Sequence, residues 1–185
     1  MTLLILGLIL WVGAHFFKRL MPEKRAAMGD AGRLPVTIGI VVALLLIIIG
    51  YRMAEFIPVW NPPSFFTHIN NLAMLIALWV FGSSAAKGAK AWPAYTLRHP
   101  QLVAVAFWAV AHLLVNGDLA SILLFGAMLA WSGVTMLLIN QAEPDWTPPP
   151  PAGRATYIRL AVIATVLFVI ISGVHVALGV SPFPT

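Results

Sequence analysis

The stretch RHPQLVAVAFWAVAHLLVNGDLAS, residues 98–121, combines a long apolar run with polar side chains that a membrane helix rarely carries. Polar groups are costly at membrane depth, because no water is present there to replace the hydrogen bonds that they lose. We therefore expect the function of the protein to depend on this stretch. Its polar members are Arg98, His99, Gln101, His112, Asn116 and Asp118.

The composition of the chain is that of a membrane protein. Of its 185 residues, 61% are hydrophobic and only 9% are charged, whereas a soluble domain carries roughly 25% charged residues. A single domain over residues 1–185, surrounded by a lipid bilayer, is therefore predicted. The formal charge is +5, but the basic residues form no stripe, so nucleic-acid binding is not expected. The lack of cysteine excludes disulfides, thiolate ligands and iron–sulfur clusters.

Apolar runs of membrane-spanning length define the predicted fold, which is an all-α, polytopic bundle of six transmembrane helices. Each run has about the length that a ~30 Å hydrocarbon core requires. The runs cover residues 2–19, 35–57, 69–86, 101–116, 119–139 and 157–179. The sequence Asn116-Gly117-Asp118 predicts a tight turn between the fourth and fifth helices, which then form an antiparallel hairpin. Asp118 is also expected to cap the fifth helix.

The distribution of basic residues predicts the orientation of the bundle. With the N-terminus outside, the outer side receives Arg52 alone, and the inner side receives the other ten basic residues. An excess of Lys and Arg marks the cytoplasmic side of a membrane protein. Both termini are therefore predicted to lie outside, in the periplasm of a bacterial host. The ten residues are Lys18, Arg19, Lys24, Arg25, Arg33, Lys87, Lys90, Arg98, Arg154 and Arg159.

Two histidines, His15 and His112, lie well inside predicted helices. Each follows a tryptophan by one helical turn, Trp11 and Trp108 respectively, with an alanine directly before the histidine. A neutral imidazole in such a place needs a partner, and it is the commonest protein ligand of metals and of haem iron. For His175, near the outer end of the sixth helix, and His68, at the outer start of the third, a simple bond to a neighbouring carbonyl is about as good an explanation as a functional role.

The fourth helix carries a polar and aromatic stripe, since His112 shares one face with Gln101, Val105, Trp108 and Asn116. A stripe of this kind either lines a pocket, here for a small apolar or quinone-like ligand, or packs as a polar seam against another helix or a partner membrane protein. The pocket is the favoured interpretation.

Arg98 and His99 come directly before Pro100, which suits the first turn of a helix. The simpler interpretation is an interfacial anchor in which the arginine reaches lipid phosphate. The functional alternative is that Arg98 and His99 hold an anionic group, such as a haem propionate or a cofactor carboxylate.

A set of motifs between residues 98 and 126 resembles a known family signature. The motifs are Arg98-His99-Pro100-Gln101, Trp108, Ala111-His112, the run from Asn116 to Ser121, and Phe125-Gly126. They resemble those of the NnrU family of bacterial inner-membrane proteins, which is associated with denitrification and nitric-oxide metabolism. That family is similar in sequence to plant zeta-carotene isomerase, a membrane enzyme that uses haem b.

The resemblance implies a haem b protein with His15 and His112 as axial ligands, while His99 matches another histidine of the shared motif. The isomerase also has a cysteine three residues before the second histidine, where this chain has Ala109, which argues against isomerase activity. Upright helices would leave the two imidazoles at depths that differ by up to ~10 Å, whereas axial nitrogens lie about 4 Å apart. A tilt of the first helix closes this gap, and a His15–His99 pair is the alternative.

The leading hypothesis is a bis-histidine haem b protein that supports nitrogen-oxide, denitrification-linked or quinone-linked redox metabolism. Three alternatives remain: a carotenoid-isomerase-like enzyme, a relative of the S-adenosylmethionine-dependent membrane methyltransferases, and a non-catalytic accessory or assembly subunit. The methyltransferases share the Arg-His-Pro element at a helix start but use a pair of glutamates in the following hairpin. This hairpin has only Asp118. The sequence does not decide whether the protein is an enzyme.

Overall fold

A computed structural model describes residues 1–183, and within this range the chain forms helices and no strand. The prediction of an all-α fold is therefore confirmed. A short 3-10 helix, Gly29–Gly32, leads into the third α-helix. The α-helices are α1 Thr2–Leu20, α2 Pro22–Ala27, α3 Arg33–Arg52, α4 Phe66–Gly82, α5 Pro100–Val115, α6 Leu119–Ala142 and α7 Arg154–Ala177.

Four segments are long and apolar enough to cross a membrane: α1, α3 with its preceding 3-10 turn, α6 and α7. Helices α4 and α5 are also apolar but shorter, with 17 and 16 residues, so they rise only about 26 and 24 Å. Large apolar side chains on the outside of these helices are exposed, as expected for surfaces that face lipid. The membrane character of the fold is thus supported, and the number of spans stays a prediction.

Helix α6 lies at the centre of the bundle and packs against α5, α1 and α3. Its buried side chains form the middle of the apolar core, together with residues of α1, α3 and α5; the α6 members include Leu124, Phe125, Met128 and Trp131. The helices follow one another around an open arc in the order α3, α1, α6, α5, α4, α7. Among the described residues, α3 and α7 at the two ends of this arc share no contact.

The end of the bundle where α5 turns into α6, here called the hairpin end, is held by main-chain hydrogen bonds. Helix α3 ends at Arg52, five residues before the end of the predicted span, and Pro58 disfavours helix in the residue before it. The segment that follows bonds instead to the turn: the Gly117 carbonyl accepts from Val59 N at 2.8 Å and from Trp60 N at 3.1 Å.

The antiparallel hairpin of α5 and α6 and its cap are as the sequence predicts. The two helices pack against each other, and the Asp118 carboxylate accepts a hydrogen bond from Ser121 N at 3.0 Å. The Ser121 hydroxyl also donates to Asp118, and it lies 2.8 Å from the hydroxyl of Tyr51. This chain of bonds joins the end of α3 to the start of α6.

The opposite end, here called the loop end, is closed by residues 83–99 and 143–153. Lys90 N donates to the Pro150 carbonyl at 2.9 Å, and Ala152 N donates to the Lys90 carbonyl at 2.8 Å, so the two loops are paired. Arg19 at the end of α1 bonds to the Glu143 carboxylate after α6 at 2.7 Å. The hydrogen bond from Arg19 and its charge lower the pKa of Glu143.

Candidate functional sites in two cavities

One cavity, here called the larger cavity, lies inside the arc of helices, toward the hairpin end, and has a volume of about 770 Å³. Residues of α3 and α7, which share no close backbone contact, both line it. Its wall is mostly apolar and aromatic with a few polar groups, as in ligand pockets generally. Its polar and aromatic lining residues include Trp11, Asn70, Trp108, His112, Asn116, Phe125 and His175.

Two histidines of the larger cavity are held in the same tautomer. His112 Nδ1 lies 2.9 Å from the Trp108 carbonyl oxygen, and His175 Nδ1 lies 2.8 Å from the Ile171 carbonyl oxygen. A carbonyl oxygen only accepts, so Nδ1 of each neutral ring carries the hydrogen and Nε2 keeps its lone pair. Metal-binding histidines are oriented in this way, with one nitrogen donating to a carbonyl and the other on the metal.

The ring of His112 is fixed on its other side by packing. It stacks on Phe125 with ring centres 4.6 Å apart and planes inclined by 29°. The Asn116 amide donates to the main-chain carbonyl of His112 at 2.8 Å, one turn further along. These contacts restrict the direction of the imidazole before any ligand binds.

Two polar atoms of the larger cavity's lining residues have no hydrogen-bond partner among residues 1–183. They are Asn70 Oδ1, an acceptor, and Trp11 Nε1, a donor. Asn70 is only 7% exposed, and buried polar atoms are paired in most native proteins. Asn70 and Trp11 therefore each keep an unused hydrogen-bonding group.

The smaller cavity lies toward the loop end and has a volume of about 580 Å³. The start of α5 supplies Arg98, His99 and Gln101, and α1 supplies His15. His99 Nε2 lies 2.8 Å from the side-chain oxygen of Asn140. The wall of this cavity is therefore cationic where the wall of the larger cavity is apolar.

Three aromatic rings, here called the aromatic partition, lie between the two cavities. His15 packs on Trp11 with ring centres 4.3 Å apart, and its ring centre lies 5.0 Å from that of Trp131. Trp11 lines the larger cavity, whereas His15 and Trp131 line the smaller one. His15 Nδ1 also lies 2.8 Å from the Trp11 carbonyl, so its Nε2 keeps the lone pair as well.

The residues predicted to form one site are thus divided between the two cavities. Those on the larger cavity are Trp11, Trp108, His112 and Asn116, and those on the smaller cavity are His15, Arg98, His99 and Gln101. His15 and His112 do not share a cavity, whereas His15 and His99 do. Ligation of a single iron by His15 and His112 stays a prediction.

Asn70 is a cavity residue that the sequence reasoning missed. For His175 that reasoning considered a bond to a neighbouring carbonyl, which the ring makes to Ile171 at 2.8 Å, but it did not place His175 in a cavity with His112. His175 lies inside the last turns of α7, which ends at Ala177. His15 was chosen as a candidate because it is an ionisable side chain within an apolar helix. The same criterion identifies His175 as a candidate from the sequence. His175 and His112 lie on the same cavity because α4 packs against both α5 and α7. This packing of helices has no local signature in the sequence.

No group of three or more His, Cys, Asp or Glu side chains that could hold a metal ion occurs within residues 1–183. An iron held by a porphyrin ring requires only one or two ligands from the protein.

The fold and its cavities define a class: helical proteins of membrane character that enclose imidazoles on apolar helices. The chain belongs to the NnrU family, since the model of that family, described as NnrU protein, matches residues 3–182, nearly the whole chain. The family resemblance of the motifs between residues 98 and 126 is thereby confirmed. No curated protein and no solved structure matches the chain.

Proposed function

We propose that the protein is an integral protein of the bacterial inner membrane with six transmembrane helices and both termini in the periplasm. Helices α4 and α5 pack along each other, and α4 also packs on α7, which supports their lying within the same apolar layer as the longer helices. The loop end, with Lys87, Lys90 and Arg98, then faces the cytoplasm, in keeping with the excess of basic residues on that side.

Single cysteines test this orientation without background, because the chain has none of its own. Ser181→Cys and Lys87→Cys replace exposed residues beyond α7 and beyond α4. In intact spheroplasts, a membrane-impermeant maleimide should label the first variant and not the second, and lysis should expose both. Labelling of Lys87→Cys alone before lysis would reverse the proposed orientation.

The function that the larger cavity supports best is binding of haem b for one-electron redox chemistry. The observation that carries the proposal is the pair of imidazoles, His112 and His175, that line one apolar cavity with Nε2 free. Their Nε2 atoms are the proposed axial ligands, and Arg52, which lines the same cavity, is the proposed cation for a propionate. The cavity volume of about 770 Å³ falls in the range of ligand pockets.

The protein's own groups prepare this site. The carbonyls of Trp108 and Ile171 hold the two histidines in the tautomer that presents Nε2, and Phe125 fixes the plane of His112. Haem iron with two histidine ligands supplies electron transfer and has no open coordination position. Together with the association of the NnrU family with denitrification, this supports a role in nitrogen-oxide-linked redox metabolism.

Optical spectra of histidine variants test the haem proposal. The protein is expressed with a haem supply, purified in mild detergent, and examined by a reduced-minus-oxidised spectrum and by haem content per chain. His112→Ala and His175→Ala should lose the b-type band, while His15→Ala and the control His68→Ala should retain it. Loss of the band in His15→Ala but not in His175→Ala would favour the His15–His112 pair instead. A wild-type protein without a b-type band would exclude haem.

A second function is binding of a quinone-like ring from the bilayer, for which we propose that the larger cavity opens to lipid between α3 and α7. Both helices line the cavity, and they share no close backbone contact. A lipid-soluble molecule can enter through such an opening without crossing water. The unpaired Asn70 Oδ1 and Trp11 Nε1 supply an acceptor and a donor for its polar ring.

Asn70→Leu should weaken binding of a short-chain quinol, measured by tryptophan quenching, by about two- to tenfold. Asn140→Leu, outside this cavity, is the control, and equal affinities in the two variants would exclude the site.

Two other hypotheses, a carotenoid-isomerase-like enzyme and a relative of the membrane methyltransferases, receive no support from the site. Ala109 is completely buried at the position where the isomerase has its cysteine, so no thiol is available there for a ligand switch. The carboxylate of Asp118 caps α6 and bonds to Ser121, so it is already engaged in structure at the point where the methyltransferases use glutamates.

A further inference from the structure

Of residues 1–183, those that line the smaller cavity carry positive charge and no carboxylate. Lys90 and Arg98 line it, and no Asp or Glu does so among the described residues. The Lys90 ammonium bonds to the main-chain carbonyls of Ser84, at 2.8 Å, and of Ala86. These partners are neutral, so they orient the ammonium without cancelling its charge.

Arg98 is held in the same manner. Its guanidinium donates to the main-chain carbonyls of Glu143 and Pro144, while the Glu143 carboxylate pairs with Arg19 at 2.7 Å. Two oriented cations in a concave wall raise the local concentration of anions. The cavity is therefore suited to a ligand of negative charge.

Hydrogen-bond donors of this cavity also lack acceptors. Trp131 is 9% exposed, and its Nε1–H has no partner within residues 1–183. Helix α5 begins at Pro100 without a side-chain cap, and Gln101 and Leu102 of its first turn line the cavity. Amide N–H groups of a first helical turn have no partner inside the helix, and together with the helix dipole they favour an anion.

From these observations we infer that the smaller cavity binds a phosphate group, with Arg98, Lys90, the indole of Trp131 and the first turn of α5 as its donors. The tetrahedral oxygens of phosphate can accept from donors that converge from several directions, and arginine is well suited to such an ion. The volume of about 580 Å³ leaves room for a group attached to the phosphate. The ligand is thus either the headgroup of an anionic lipid or a soluble phosphate compound, and haem binding in the larger cavity does not depend on it.

Titration of the full-length protein in a zwitterionic detergent tests the inference. Inorganic phosphate is added at constant ionic strength, and binding is followed by tryptophan fluorescence and by the thermal transition. Arg98→Gln should weaken phosphate binding by about tenfold or more, since a charge-assisted bond is lost. Trp131→Phe removes only the N–H from an otherwise similar ring and should weaken binding by about two- to tenfold. The matched control is Arg33→Gln, an exposed arginine that pairs with Asp30 and should bind like the wild type.

A second arm distinguishes the two sources of phosphate. Short-chain phosphatidylglycerol and phosphatidylcholine are added to the phosphate-saturated protein. Displacement by the first lipid and not by the second identifies a lipid headgroup, whereas retention of phosphate in both cases identifies a soluble ligand. If Arg98→Gln does not fold, phosphate binding by Trp131→Phe alone tests the inference. Absence of phosphate and phosphatidylglycerol binding, or equal affinities in Trp131→Phe and Arg33→Gln, would overturn the inference.

Discussion

Replacement of Gly117 by alanine should destabilise the protein strongly, because the turn between α5 and α6 leaves no room for a Cβ atom. A Cβ built on Gly117 would lie 1.9 Å from the Trp60 carbonyl oxygen and 2.9 Å from its carbonyl carbon. Ordinary van der Waals contact requires about 3.5 Å, so the two segments must separate by about 1.5 Å. Both partners are main chain, and neither can rotate away as a flexible side chain would.

The separation breaks the bonds that hold the hairpin end together. The Gly117 carbonyl accepts from Val59 N and Trp60 N at 2.8 and 3.1 Å, and each such bond contributes about 1 kcal/mol. Overpacking adds roughly 1–3 kcal/mol, so the free energy of unfolding should fall by about 3–5 kcal/mol. For a chain of this length each kcal/mol lowers Tm by about 2–4 °C, and Tm in detergent should therefore fall by roughly 6–20 °C.

Glycines within α6 provide matched controls for this measurement. A Cβ added at Gly126 or Gly133 meets no atom within 4 Å outside the helix's own backbone, and alanine is preferred to glycine inside a helix by roughly 0.5–1 kcal/mol. Gly126→Ala and Gly133→Ala should therefore keep or raise Tm, as followed by circular dichroism. A Gly117→Ala protein as stable as these two would refute the close approach of Trp60 to the turn.

Two further substitutions test contacts at the two ends of the bundle. Asp118→Ala removes the cap that accepts from Ser121 N. The free energy of unfolding should fall by about 1–2 kcal/mol, and Tm should be lower than that of the control Asp145→Ala. Equal Tm values would show that the cap contributes nothing. Glu143 tests pH dependence: Arg19 lowers the pKa of its carboxyl, so the pair stabilises the fold above the ordinary carboxyl pKa of about 4.3 and this stability is lost as the pH falls through the lowered pKa. Below about pH 4.3, the Tm of the wild type should thus fall more steeply with pH than the Tm of Glu143→Gln. The difference should be small because the ion pair is exposed. Parallel plots of Tm against pH for the two proteins would contradict the pairing.

Much of the fold follows from signals that are local in the sequence. Apolar runs of helical length, separated by proline, glycine and basic residues, are sufficient to locate the longer helices, and Asp118 is a cap because its side chain reaches the first turn of its own helix. The second predicted run, which corresponds to α3, continues to residue 57 because Ala54, Phe56 and Ile57 are apolar. The end of this segment bonds instead to residues 117–119, through the Ile57 carbonyl and the Val59 and Trp60 amides, and such long-range bonds have no local signature.

The grouping of the polar side chains was only partly predictable for the same reason. Val105, Trp108, His112 and Asn116 line one cavity because residues on one face of one helix must lie together. The relation between His15 and His112 depends instead on how far α1 is displaced along α6. His15 packs against Trp131 and His112 against Phe125, and these α6 residues are six positions apart, a rise of about 9 Å. Helix periodicity within α1 and α5 contains no information about that displacement.

The aromatic partition gives a physical reason why helix α5 carries polar residues of two kinds. Gln101 and His112 are eleven positions apart, a rise of about 16 Å, so the start of α5 lies on one side of the partition and its end on the other. The start faces a cavity whose donors and cations favour an anion, and the end faces an apolar cavity in which neutral imidazoles present lone pairs. Trp11 lines the larger cavity and Trp131 lines the smaller one. Among residues 1–183, the two cavities have no lining residue in common, so the proposed ligands would bind to separate sets of residues. Arg98→Gln should therefore weaken phosphate binding without changing a haem spectrum, and His112→Ala should change the haem spectrum without weakening phosphate binding.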